Sequence, residues 1–474
     1  MIAENLYICL VYRVERCCCY FFVAWGFSGR IIIIPQGGHV MRGKLFAASL
    51  FTVLCLAFMG SAVIADMNWK QLEGTEIRFL MNKHPFTSFI EPKVADFEAM
   101  TGIKVNFEVF PEDQFRNKRL IELNAGGQVD GYMIMPGQAK LHYFKAGWLK
   151  ALDEYIADPS LTAADWDVDD FFAGPMKGAS ADGKQIGIVI NAEASLLAYR
   201  KDLFEQFDIK VPETMEELEA AAKFFHGKEI DGKKMVGITL RGKGAAATSQ
   251  WVDFLYSFGG SWTTEDGQAN IASPGSIAAF KFYGDILRNY GPQGPTMFHW
   301  SESTSLFMEG TAAMIFDANV FKSLYENPEE SKVAGKVGYT TVPAGPAGKL
   351  PHVSNWSLAV SGTSTPERQK ASWLFVQWAT NKENVLGALL AGVPAGRASA
   401  WNAEEFKAND KNPDWTASSL ESFEIGQPQW NPPVLNVPEI RDIVGQIIVD
   451  AIDGKDVEKS AEKGAKAMDK KMEK

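Results

Sequence analysis

The clearest hydrophobic pattern lies between residues 76 and 109, where a strand, a helix and a second strand follow one another. An apolar strand at 76–81 ends in a polar loop at 82–86. Apolar residues then recur at helical spacing from Phe89 to Met100, and Gly102 is placed to end that helix. Residues 103–109 alternate as a second strand. This order is typical of a βαβ unit with a parallel sheet.

Similar elements recur to the C-terminus. Further strands are predicted at 130–135, 187–191, 194–199, 235–240, 312–316, 337–342 and 357–361. Thr214-Met215-Glu216-Glu217 is a capping box that opens a helix, and other helices are predicted at 372–379 and 440–451. The final 20 residues, rich in Lys and Glu, indicate an exposed helix end. The alternation of strands and helices indicates an α/β fold.

Residues 41–65 have the pattern of a secretory signal peptide. Arg42 and Lys44 form a positive start, 45–59 is almost wholly apolar, and Val63-Ile64-Ala65 offers small or medium residues for cleavage. The alternative is a membrane anchor, because the 21 uncharged residues before Asp66 are just long enough to span a bilayer. The interruption at 60–61 and the absence of a basic stop-transfer cluster favour cleavage. We therefore expect a periplasmic protein, membrane-anchored if the leader is uncleaved.

Residues 1–40 show no clear helix or strand period. We expect them to be a misassigned extension upstream of a start at Met41; an unusual anchor or tail is the alternative. All five cysteines precede residue 66. The mature part, 66–474, therefore excludes a disulfide scaffold, a zinc ribbon and a cysteine nucleophile, and it suits an oxidising compartment.

The charge of the chain argues against a nucleic-acid partner. Residues 1–65 carry five of the 47 basic and two of the 58 acidic residues, so 42 basic and 56 acidic residues remain, a formal charge of −14. Nucleic-acid affinity depends on basic side chains that neutralise phosphates. The 409 mature residues are enough for two domains of ordinary size.

Signatures of catalysis are weak. The histidines at 84, 142, 226, 299 and 352 show no metal-ligand spacing, and no G-x-S-x-G elbow occurs. We read 242–245 as a flexible loop rather than a phosphate loop. No catalytic residue, metal or cofactor is therefore predicted. A secreted carbohydrate-active enzyme remains an alternative, because its two carboxylates would come from distant segments.

Tryptophan supplies a positive signal. Twelve of the 13 tryptophans follow residue 65, and several, including Trp251, Trp300 and Trp356, lie beside predicted loops. Sugar rings stack their C–H faces on aromatic planes, and their hydroxyls need polar partners. Core packing of each ring is the alternative.

A family resemblance rests on residues 196–204, with the sequence LLAYRKDLF, followed by Val-Pro-Glu-Thr at 211–214 and Glu217-Leu218. The order of these motifs resembles the extracellular solute-binding proteins of bacterial ABC importers (family 1), in the sugar-binding group of the maltose-binding protein. Arg200 and Met215 depart from the family's usual Asn and Trp. Weaker similarities extend the resemblance over nearly all of 70–460.

The resemblance implies a two-lobed α/β periplasmic binding protein fold with three crossings, near 189–191, 342–343 and 392–393. Lobe one would be 66–190 plus 343–391, and lobe two 191–342 plus 393–474. Ligand would lie in the cleft, at the carboxyl ends of parallel strands, and the lobes would close around it by a hinge motion.

Carried over position by position, the resemblance together with the loop tryptophans gives a set of candidate ligand-binding residues. They are His84, Phe86, Met135, Gln138, Asn191, Glu193, Gln250, Trp251, Trp300, Asp317, Asn319, Asn355, Trp356 and Arg397. Relatives place an aromatic near Asp317 and Asn319, so stacking there is in doubt. For Arg397, a salt bridge that fixes the hinge is the alternative to ligand contact.

The implied function is capture of a sugar or sugar alcohol for a membrane permease, by a monomer that binds no nucleic acid. A chemoreceptor-presenting role is compatible with it. Within the same fold, a polyamine is an alternative ligand, for which Asp130, Glu193 and Asp317 would supply the acids. The missing Tyr-Tyr pair argues against ferric-ion binding.

Overall fold

The computed structural model describes residues 9–11, 21–25, 31–35, 67–427, 430–432 and 434–472. The chain divides into a small unit before Ala65 and a large unit from Ala65 to Lys474. The small unit contains β1 (Cys9–Val11), β2 (Phe21–Trp25) and β3 (Ile31–Pro35), paired antiparallel in that order. Residues 1–40 show no clear strand period in the sequence, so these three strands correct that interpretation. The predicted signal peptide lies outside the described residues.

The large unit contains twelve strands among its described residues. They are β4 (Glu76–Asn82), β5 (Lys104–Phe110), β6 (Gly131–Ile134), β7 (Ser180–Ala181), β8 (Lys184–Gln185), β9 (Ile188–Arg200), β10 (Glu229–Ile230), β11 (Lys233–Lys234), β12 (Val236–Thr239), β13 (Ala312–Ala318), β14 (Val337–Thr340) and β15 (Val353–Val360). Eight of them form one mixed sheet in the order β12-β13-β9-β15-β6-β4-β5, with β14 also paired to β9. The β7–β8 and β10–β11 pairs are small hairpins.

Helices cover the sheet. They are α1 (Pro85–Ile90), α2 (Val94–Thr101), α3 (Glu112–Asn124), α4 (Pro136–Lys145), α5 (Asp153–Ala157), α6 (Ala173–Gly178), α7 (Lys201–Gln206), α8 (Met215–Phe225), α9 (Gly244–Ser257), α10 (Pro274–Tyr290), α11 (Trp300–Met308), α12 (Lys322–Tyr325), α13 (Pro366–Ala379), α14 (Lys382–Leu390), α15 (Ala398–Asn402), α16 (Glu404–Asn409), α17 (Pro413–Ile425), α18 (Val437–Ile452) and α19 (Val457–Met472). In the part of the chain that the structure describes, no helix has both the length and the hydrophobicity of a membrane span.

Strand β9 links the two lobes of this α/β fold. Its 13 residues are all buried. The first half pairs antiparallel with β15, and the second half pairs antiparallel with β13 and β14. Two hydrophobic clusters lie on the two parts of the sheet. One contains Phe79, Phe97 and Phe375, and the other contains Phe225 and Trp251.

The predicted βαβ unit is present, because β4 and β5 pair in parallel in full register. Its helix is not continuous, which corrects the prediction. A 3-10 turn at Glu91–Lys93 separates α1 from α2, since Pro92 has no amide hydrogen and its ring clashes with the preceding turn. Gly102 ends α2 with a φ of 72°, the left-handed conformation that glycine adopts at little cost.

Other element predictions are confirmed or corrected. The capping box at Thr214 is formed with Glu217. The strands predicted at 187–191 and 194–199 are one strand, β9. The stretch read as a flexible loop at 242–245 instead leads into α9. The C-terminal segment is more than an exposed helix end, because one face of α19, including Val457 and Met468, is buried.

Candidate ligand-binding site

A pocket of about 450 Å³ lies where strand ends and helix starts converge. Its wall comes from the carboxyl ends of β4, β6, β12 and β13, from β9 and β15, and from the first turns of α3, α9, α11 and α18. The lining residues are Asn82, Lys83, His84, Pro85, Glu112, Arg116, Met135, Glu193, Arg241, Lys243, Gly244, Ala245, Ala246, Ser249, His299, Trp300, Ala318, Phe321, Trp356, Val437, Pro438, Arg441 and Asp442. This is where open α/β sheets bind small molecules.

One side of the pocket is built around Glu193 on β9. His84 caps α1 by accepting the Phe86 amide hydrogen on Nδ1 at 3.2 Å. A neutral His84 therefore carries its proton on Nε2, which lies 3.2 Å from Glu193 Oε1. Asn191 Nδ2 donates to the same oxygen at 2.8 Å. In the described residues Glu193 Oε2 has no hydrogen-bond partner, so this oxygen is available to accept from a ligand. Asn82 Oδ1 also lacks a partner, but the atom is buried.

Arg241, which follows β12, is held by Asp317 at the end of β13. Its Nε and Nη2 donate to the two carboxylate oxygens at 3.0 and 2.6 Å. Gln250 and the Ala318 amide also donate to Asp317. Burial acts to lower the pKa of Arg241, but the charge and hydrogen bond of Asp317, together with the charges of Glu112 and Glu193, outweigh it, so the pKa is raised. The guanidinium is thus fixed as a cation, and its Nη1 has no acceptor among the described residues.

Glu112, at the start of α3, organises the aromatic wall. Arg116 donates from Nε to Glu112 Oε1 at 3.1 Å, and the Trp300 indole donates to Oε2 at 3.2 Å. One face of Trp300 stacks on Phe321 at 5.1 Å and 12°. The Arg116 guanidinium lies 5.4 Å from the Trp356 ring centroid. Each pocket tryptophan thus has a face covered by a protein group.

The ionisation of Glu112 gives a pH prediction. Burial acts to raise its pKa, but the charge and hydrogen bond of Arg116 outweigh burial and lower the pKa to about 2. A carboxyl whose pKa is lower folded than unfolded stabilises the fold above its unfolded pKa, near 4.5. This contribution is lost as the pH falls from about 4.5 toward 2.

We therefore expect the stability difference between the wild type and Glu112→Gln to be full at pH 6 and smaller at pH 3. Urea denaturation at several pH values measures it. Glu76→Gln, at an exposed position of β4, is the control. A stability difference that does not shrink on acidification would contradict the lowered pKa of Glu112.

Arg441 on α18 forms the floor opposite α9. Its Nε donates to Thr248 Oγ1 at 2.8 Å, and its Nη2 donates to the Ala245 carbonyl at 2.8 Å and to Ser249 Oγ at 3.0 Å. The Trp430 ring centroid lies 5.0 Å from its guanidinium carbon. Burial is the main cause that lowers the pKa of Arg441, to about 9, and the nearby charge of Arg116 adds to it.

The structure brings part of the predicted set together. The residues that line the pocket are His84, Met135, Glu193, Trp300 and Trp356. Three other predicted residues do not line the pocket but orient side chains that do. Asn191 donates to Glu193, Asp317 accepts from Arg241, and Gln250 donates to Asp317. The side chain of Gln138 lies outside what the structure describes.

The remaining predicted residues do not reach the pocket. Phe86 and Trp251 are fully buried in the two cores, and Trp251 stacks on Phe280 at 4.2 Å. Asn319 donates to Ser419 Oγ, and Asn355 donates to the Pro175 carbonyl. Arg397 is enclosed and pairs with Asp170 at 3.2 Å, which is the salt-bridge alternative.

Sequence reasoning missed most of the charged lining. These residues are Lys83, Glu112, Arg116, Arg241, Lys243, Arg441 and Asp442. A usable signal existed for Arg241, which directly follows the strand predicted at 235–240. Arg441 is a basic residue on the otherwise apolar face of the predicted C-terminal helix, a second such signal. Glu112 and Arg116 lie on a helix that the hydrophobic pattern does not mark.

The acids invoked for a polyamine are not free in the pocket. Asp130 lies elsewhere and pairs with Arg368 at 2.7 Å. Asp317 is satisfied by Arg241. Across the described residues, no group of three or more His, Cys, Asp and Glu side chains is arranged to hold a metal ion.

Known proteins share this fold and about a quarter of the aligned residues. The chain is 28% identical over 353 residues to the erythritol/L-threitol-binding protein of Mycolicibacterium smegmatis, covering 71% of this chain and 72% of that protein. It is 28% identical over 379 residues to the mannitol-binding protein of Pseudomonas aeruginosa, covering 75% and 83%. An ABC transporter solute-binding protein from Agrobacterium radiobacter in complex with ribitol superposes with a TM-score of 0.76 at 26% identity, covering 84% of this chain and 99% of that one.

The family profile of the bacterial extracellular solute-binding proteins matches residues 83–386. The match covers more than half of the chain and confirms the resemblance that the motifs at 196–218 predict. The same findings confirm the two-lobed fold, and they identify a solute-binding protein rather than an enzyme. This chain belongs to the bacterial extracellular solute-binding proteins.

Proposed function

We propose that the protein captures a sugar alcohol, or a small sugar, in this pocket and delivers it to the permease of an ABC importer. The observation that carries the proposal is the mixture of unpaired donors and acceptors in one small, partly aromatic cavity. Relatives named for erythritol, L-threitol and mannitol support the ligand class. The ribitol complex with the same fold supports it as well.

The hydrogen-bonding groups suit a chain of hydroxyls. Each hydroxyl both donates and accepts. Glu193 Oε2 is a free acceptor, while Nη1 of Arg241 is a free donor. A cavity of about 450 Å³ is within the usual range for small-molecule sites.

The aromatic wall favours an extended polyol over stacked pyranose rings. Phe321 covers one face of Trp300, and the Arg116 guanidinium lies against Trp356. The rings therefore offer less free stacking surface than a sandwich of sugar rings needs. A linear polyol can lay its C–H groups along the remaining surface while its hydroxyls reach the charged groups.

The proposal extends to cellular location and motion. A cleaved leader at 41–65 would place a monomer in the periplasm. Lobe one would comprise 66–190 and 343–391, and lobe two 191–342 and 393–474. The pocket takes residues from both assigned lobes, with Glu112 in the first and Arg241 in the second. A ligand that contacts both would therefore shift the equilibrium toward a closed state.

A thermal-shift panel tests the ligand class. We expect ribitol, D-mannitol or erythritol, at 100 times its dissociation constant, to add about 2.7 kcal/mol to the free energy of unfolding. Maltose is the control for stacked rings and spermidine the control for amines, because three arginines face the cavity. If spermidine or a metal ion raised the melting temperature and no polyol or sugar did, the proposal would be wrong.

A further inference from the structure

Arg441 has a property that binding of a neutral polyol does not require. Its side chain is buried, with only 8% of the residue exposed. Its three hydrogen bonds go to neutral acceptors on α9. Within the described part of the chain its guanidinium forms no ion pair, and its Nη1 has no acceptor although the residue lines the pocket. A buried cation without a counterion is costly.

The other pocket arginines differ in this respect. Arg116 has Glu112 as its carboxylate, and Arg241 has Asp317. Glu193 takes its hydrogen bonds from His84 and Asn191 rather than from an arginine. Asp442 neighbours Arg441 in sequence but is exposed and forms no ion pair with it. The charges of Glu112 and Asp442 act on Arg441, but the charges of Arg116 and Arg241 oppose them, and neither carboxylate forms an ion pair with Arg441.

The start of α9 adds a partial positive charge beside Arg441. Gly244, Ala245 and Ala246 line the pocket beside Arg441. The helix has 14 residues, no capping side chain and no acid in its first turn. Its positive dipole end thus faces the cavity without a compensating acidic side chain. In contrast, α3 begins at Glu112, and α11 is capped with the help of Glu302.

We propose that the pocket takes a polyol oxidised to a carboxylate at one end, an aldonate, with that carboxylate on Arg441. The inference rests on the proposed function and names its ligand class more narrowly. The carboxylate accepts from Arg441 Nη1 and from Ser249, whose oxygen accepts from Arg441 Nη2 while its hydroxyl hydrogen can still donate. The remaining hydroxyls reach Glu193.

A matched ligand pair tests the inference by calorimetry on the purified protein. Ribitol and D-ribonate differ only in a terminal hydroxymethyl group against a carboxylate. We expect ribonate to bind about tenfold tighter or more, since charge-assisted hydrogen bonds are about twice as strong as neutral ones. Binding of ribitol that equals or exceeds that of ribonate overturns the inference and leaves the proposed function standing. Failure of both ligands, and of every other polyol and sugar, overturns both.

Variants locate the carboxylate. Arg441→Gln should lose the preference for ribonate, measured as the ratio of the ribitol and ribonate dissociation constants. Lys332→Gln, at an exposed cation that pairs with Glu309 and does not line the pocket, should keep the preference. If Arg441→Gln does not fold, Ser249→Ala replaces it, and we expect ribonate alone to bind several-fold weaker. A preference that survives in the folded Arg441 or Ser249 variant would assign the carboxylate elsewhere and refute the inference.

Discussion

Replacing Arg397 with alanine is expected to lower the free energy of unfolding by about 3–5 kcal/mol. The side chain is fully enclosed. It donates to the carbonyls of Trp166, Asp167 and Thr380 at 2.6–2.8 Å and pairs with Asp170. Truncation leaves these acceptors buried without a donor. Urea denaturation followed by tryptophan fluorescence measures the loss.

Lys382→Ala is the matched control, because Lys382 pairs with Asp167 at the exposed surface nearby and exposed ion pairs contribute little to stability. Below the melting temperature of the variant, ligand affinity should be unchanged, since Arg397 does not line the pocket. A large loss of affinity with unchanged stability would instead indicate direct ligand contact.

Replacing Glu193 with alanine should weaken binding of the sugar alcohol by about 10- to 100-fold. Its free Oε2 faces the cavity, and a hydrogen bond to a charged acceptor contributes about 1.5–3 kcal/mol. The change also removes the acceptor for His84 and Asn191, so both side chains lose their fixed positions. Calorimetry with ribitol or D-mannitol measures the effect.

Glu193→Gln separates charge from shape and should lie between the wild type and the alanine variant. Glu309→Ala removes an exposed carboxylate that pairs with Lys332, and it should leave affinity unchanged. Equal affinities for the wild type and Glu193→Ala would exclude Glu193 from ligand contact.

The sequence predicted those helices and strands whose signal comes from residues only a few positions apart. The βαβ unit at 76–110 and the capping box at Thr214 belong to this kind, because side-chain period and capping act over a few residues. Pro92 interrupted a helix that its apolar spacing favoured. The long helix α9, which begins at Gly244, was missed because its glycine- and alanine-rich start resembles a loop.

The pocket was harder to predict because its members come from distant segments. Glu193 and His84 were found through the family resemblance, and Trp300 through its position beside a loop. Trp251 was misplaced since a tryptophan next to a predicted loop can equally lie inside a helix. Arg441 reaches the cavity because α18 packs against α9, and a local sequence pattern does not predict packing between distant helices.

Strand β9 has a mechanical consequence. Because one unbroken strand pairs with β15 in one lobe and with β13 in the other, relative rotation of the lobes must be absorbed as torsion of its backbone. Glu193 lies in this shared strand, opposite Ser354. The Glu193 side chain is therefore attached to the strand that twists, so a small rotation between the lobes changes the direction of its carboxylate.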